Sequence, residues 1–146
     1  MNRTKAISII FIAILIFIVG YATGRLMQHD VSMEFRIGYP HSEFPNRVDY
    51  PHTFKNTDNQ HIINNLLMIH MQKERIDDMD LEIDSPDIYM NLLSPTESVG
   101  LLESRLWFKE DGAIIAERNG ISWDEVEFYK IPESDASYIK GLTGYE

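Results

Sequence analysis

Residues 102–118 read LESRLWFKEDGAIIAER, two short runs of branched and aromatic residues joined across Glu110-Asp111-Gly112. Such side chains favour extended chain, and Asp-Gly tolerates the positive φ that a two-residue hairpin turn demands. The stretch therefore predicts a β-hairpin with strands over 102–109 and 113–118. With Asp111 and Gly112 at the centre of the turn, Phe108 faces Ile115, and Trp107 faces Ala116 on the opposite side. Both faces then carry apolar groups. One of them is expected under helices and the other only partly covered, with Trp107 and Trp123 as packing residues.

Working outward, residues 87–93 predict an earlier strand closed by Ser94-Pro95-Thr96, and residues 125–131 a later one. Asn119-Gly120 is a second turn signal, either tight or opening a longer loop through 121–124. The chain ends on a short helix from Ser134 that carries Tyr138, Ile139 and Leu142, with Gly141 and Gly144 loosening its end. Upstream, Thr57-Asp58-Asn59-Gln60 fits a capping box, and Ile62, Ile63, Leu66, Leu67 and Ile69 follow at helical spacing. His70 falls in that apolar face and reads as a core histidine near the helix end, hydrogen-bonded and favoured by the dipole. The helix should stop near Gln72 or Glu74. The fold class is α+β, an antiparallel meander packed by one main helix and a short C-terminal helix over residues 57–146.

Two segments carry candidate binding chemistry. Asp78, Asp80, Glu82 and Asp84 alternate with apolar residues, as a two-faced strand or an extended loop does. They are the metal candidates, for calcium above all, although the EF-hand spacing fails at Ile83 and Tyr89. A solvated acidic face is the plainer reading. Residues 35–54, FRIGYPHSEFPNRVDYPHTF, hold the pairs Tyr39-Pro40, Phe44-Pro45 and Tyr50-Pro51. Proline there argues for an extended or turning loop after a first short strand near 31–37. Its rings either lie down on the domain or offer Tyr39, Phe44 and Tyr50 to a partner. His41 and His52 lack a third ligand at fixed spacing.

The amino end sets the address. Residues 6–22, AISIIFIAILIFIVGYA, contain no charge. As a helix they reach roughly 26 Å, close to a ~30 Å hydrocarbon core. Arg3 and Lys5 precede the run, so the positive-inside bias puts residues 1–5 in the cytoplasm and the rest outside. A transmembrane signal-anchor over 6–27 is expected, followed by a juxtamembrane strand and aromatic loop over 28–56. A signal peptide cut before Arg25, giving a secreted protein, is the alternative.

Charge and composition narrow the function. Residues 31–146 hold ten Lys/Arg against twenty-two Asp/Glu, a net of −12. That surface repels nucleic-acid phosphates and anionic headgroups. With no cysteine, disulfides, thiolate metal sites and a lipidated cysteine are excluded. No catalytic motif is present, so no enzyme and no cofactor is expected. The pattern is similar to small membrane-anchored or exported proteins of low-GC Gram-positive (Bacillus-like) bacteria. The likeness lies in residues 57–67, Leu106-Trp107-Phe108 before Asp-Gly, Phe128-Tyr129-Lys130-Ile131, and 138–142. It implies an extracytoplasmic α+β domain and carries over no catalytic residue. The chain thus reads as a tethered binding or regulatory module for a membrane or cell-wall protein, or else as a cation-binding domain.

Overall fold

The computed structural model describes residues 3–26, 31–44, 47–77 and 79–145. It divides into two compact units, Met1–Asp30 and Val31–Glu146. The first is one helix, α1 (Arg3–Leu26), whose apolar residues surround its axis rather than forming a stripe. Among the described residues no helix is long and apolar enough to cross a membrane.

The second unit is α+β. Its strands are β1 (Glu34–Pro40), β2 (Val48–Lys55), β3 (Glu74–Ile76), β4 (Ile88–Ser94), β5 (Val99–Lys109), β6 (Gly112–Arg118) and β7 (Val126–Pro132). Its helices are α2 (Gln60–Gln72) and α3 (Glu133–Thr143). All strand pairs are antiparallel, in the order β2-β1-β4-β5-β6-β7-β3. Consecutive strands β2 and β3 stand at opposite edges. The chain therefore crosses the sheet as α2 and returns as residues 79–87 to enter β4.

Each crossing buries one face. Under the helices, Phe35, Ile37, Met90, Leu106, Ile115 and Ile131 meet Ile63 and Leu66 of α2 and Ile139 of α3. On the other face Trp107, Ile114, Ala116 and Phe128 are covered by Leu81, Ile83 and Trp123. The interior strand β6 is accordingly buried on both sides over its first five residues.

Several expectations are corrected by the packing. Residues 35–54 are a hairpin, β1 with β2, and not a loop. Tyr50 and Pro51 fall where the register slips between Ile37 and Tyr39, a bulge on an edge strand, where a missing N–H does no harm. The hairpin of β5 and β6 pairs Lys109 with Gly112, so its loop is Glu110-Asp111. Phe108 therefore faces Ala113 and Trp107 faces Ile114, two residues from the expected partners on unchanged faces. The reason is β7: a Cβ on Gly112, at φ +142°, would strike the Ile131 carbonyl oxygen. Thr57 is not the cap of α2. Lys55 O closes a turn onto the N–H groups of Asp58 and Asn59, and the helix begins at Gln60 with no side-chain cap. Strand β3, charged and three residues long, was not expected at all.

Two glycines give a contrast. Gly112→Ala meets backbone at a positive φ and should lower stability by about 1–3 kcal/mol. Gly100→Ala, whose methyl meets only Leu93 Cδ2 at 3.9 Å, should leave stability nearly unchanged. Denaturant unfolding of the two variants measures the difference.

Candidate functional site

The most chemical cluster lies beneath the end of α2. His70 follows from the helical spacing of Ile63, Leu66 and Ile69 and points at the sheet, edge-on to Phe35. Its Nδ1 lies 3.0 Å from the Leu66 carbonyl, which only accepts, so that nitrogen carries the proton. Nε2 of the neutral ring then accepts from the Ser104 hydroxyl on β5, at 3.2 Å. Glu117 on β6 approaches the same Nε2 at 3.9 Å and pairs with Lys73 at 2.9 Å. Lys73 also donates to the His70 carbonyl and lies over the Tyr129 ring, closing the helix end.

A serine hydroxyl donating to an imidazole is the first half of a nucleophile–base pair. Here it goes no further. Ser104 is wholly buried, and a backbone carbonyl, not a carboxylate, orients the ring. The pair is a satisfied polar contact inside the core. Burial pushes the His70 ring below its ordinary pKa; Leu66 and Glu117 pull the other way without prevailing, and Lys73 adds to the lowering. The dipole at the helix end therefore does not keep this ring charged.

The sequence candidates are dispersed. Tyr39 stacks on Tyr145, meets His52 edge-on and donates to the Thr143 carbonyl. Tyr50 accepts a 2.6 Å hydrogen bond from Asn91. Both are packed on the domain. Phe44 stays exposed at the hairpin tip beside His41, whose Nδ1 accepts the N–H groups of Glu43 and Phe44. Pro45 and Asp78 lie outside the described residues. Asp80 and Glu82 stand in a loop, and the Asp84 carboxylate binds Arg105 at 2.7 Å. Among the described residues no group of three His, Asp or Glu is gathered as metal ligands.

Arg105 holds this loop down. Its Nη1 also donates to the Ile83 carbonyl, and its guanidinium lies between Trp123 at 3.9 Å and Tyr89 at 5.6 Å. Trp107 Nε1 donates to the Ser85 carbonyl. Asp87 accepts the Phe108 N–H and the Tyr145 hydroxyl, and the second bond pushes the Tyr145 pKa up to about 12.

An open place lies where β6 ends. Beyond Arg118, a depression of about 400 Å³ lies between Leu93 with residues 100–102 and Glu117, Arg118 and Gly120. Nothing in residues 99–103 announces it, because it arises from β5 outrunning its neighbour. Comparison with known proteins gives no match: no family model, no curated protein and no solved structure.

The neutral His70 has a pH consequence. In the unfolded chain the ring takes up a proton near pH 6.5, whereas in the folded domain it resists until a lower pH. Stability should therefore fall as the pH drops below that value and level off only when the folded ring is also charged. His70→Gln keeps a donor and an acceptor without titrating, and should flatten the profile between about pH 7 and 5. Denaturant midpoints across that range check it.

Proposed function

We propose that the protein is a single-pass membrane protein that presents a small acidic domain outside the cytoplasm, where it acts by binding and not by catalysis. One observation carries the reading. Nine large apolar side chains between Ile10 and Val19 are all more than half exposed on α1, around its whole circumference. In water that surface is strongly unfavourable, and in a bilayer each residue contributes about −0.3 to −0.6 kcal/mol. With residues 6–9, which extend the same uncharged run, the length approaches a span. Arg3 and Lys5, just before the apolar run, support an inside amino end and with it an outside carboxyl end. The likeness to small exported proteins belongs to the same proposal.

Binding is favoured over catalysis because the Ser104–His70 pair is sealed while the open depression offers strand edge and apolar rim. The tether would hold the domain at high effective concentration against other membrane proteins. In bacterial cells the full-length mass should remain with membranes after alkaline carbonate, and protease added to intact cells should remove the domain. Recovery from the medium with a new amino end near Arg25 would replace the anchor by a cleaved signal, and protection from protease would invert the orientation.

A further inference from the structure

We propose that residues 99–103 of β5 are a docking edge for an extended segment of a partner protein carrying alternating apolar and basic side chains. This deepens the binding reading above and depends on it only for the side of the membrane on which the partner is met.

The edge is open because the β5–β6 ladder begins at Ser104 with Glu117. After Arg118 the chain turns away, the Asn119 N–H bonding to the Glu125 carbonyl at 2.8 Å. β5 continues alone beside β4, which pairs only one side of it. Among the described residues no strand pairs with residues 99–103 on the other side. The backbone groups of alternate residues in this stretch point away from β4 toward the depression, and a further strand is what satisfies such groups.

The sheet's other edges are guarded. β2 has Pro51, a bulge, and the charges Asp49 and Lys55. β3 is three residues long and carries Glu74 and Arg75. Short length, proline, bulges and charge are the devices by which edges refuse company. Residues 99–102, VGLL, have no charge and no proline, and their bulge leaves Leu101 half exposed. Val99 is 48% exposed, and Ile121, next in the chain after the lining residue Gly120, is 95% exposed, its carbonyl accepting from Arg118. That bulge aside, the stretch carries none of the proline or charge that closes β2 and β3, and on an acidic domain it is fitted to receive a strand.

Its chemistry follows from the surroundings. Four or five residues of extended chain span roughly 14–17 Å, matching the free stretch. Apolar side chains on the segment would cover Leu101 and Ile121. Glu103 and Glu117 already have Arg118 and Lys73 as partners, so basic residues answer the field of the whole domain, net −12, more than any single carboxylate. That attraction should weaken with salt.

The test uses the full chain in detergent micelles and two labelled dodecapeptides, one alternating valine with lysine, the other valine with glutamate. The valine–lysine peptide should bind and slow amide exchange within residues 99–103, and the valine–glutamate peptide should bind far less. Leu101→Ser with Ile121→Ser, both at exposed positions, should keep the unfolding midpoint and weaken binding by about tenfold. Exchange at residues 99–103 unchanged at saturating peptide, or slowed only in β2 or β3, overturns the proposal. Protection there that rises with protein concentration alone also overturns it, by giving the edge to a second copy of the chain. None of these outcomes bears on membrane recovery, so the two readings fail separately.

Discussion

The rest of the domain follows from where one short strand is placed. β3 pairs with β7 at the edge farthest from β2, yet it comes directly after β2 and α2 in the chain. A chain obliged to travel from one edge to the other must cross a face, and to reach β4 it must cross again. It uses opposite faces for the two journeys. The first lays down α2 over Phe35, Ile37 and Leu106; the second lays residues 79–87 over Trp107 and Phe128. A seven-stranded sheet in an acidic domain without cysteine thereby obtains two cores instead of one.

The second core is the less usual, because a loop rather than a helix makes it. Loops leave backbone groups to satisfy, and here side chains from the sheet satisfy them. Arg105 takes the Ile83 carbonyl, Trp107 takes the carbonyl of Ser85, and Tyr89 takes that of Asp84. The acidic segment is thus held by the sheet beneath it, with the Asp84 carboxylate paired to Arg105.

How much of this was legible depended on how far each signal reached. Strands β4 to β7 and the apolar face of α2 rest on local patterns, so their residues announce them. β3 does not, since Glu-Arg-Ile becomes a strand only because β7 lies waiting some fifty residues later. Pro51 misled by type: proline is hostile to interior strands, but its position on an edge bulge was invisible in sequence. Gly112 misled by role, its missing side chain serving β7 and not the turn. Of the buried cluster, His70 could be placed from helical spacing. Ser104 and Glu117 could not, because one register between β5 and β6 brings them to it. The open edge of β5 was equally hidden, being the difference between two strand lengths.

Tyr145, near the carboxyl end, bonds to Asp87, stacks on Tyr39 and packs against Phe108. The last residues of the chain therefore fasten the first strand to the middle of the sheet. The domain cannot close early: β3 awaits β7, and Tyr39 awaits Tyr145. Delayed closure is then a property of the topology, with the slow folding expected of distant pairings. The absence of cysteine leaves that wait free of mispaired disulfides.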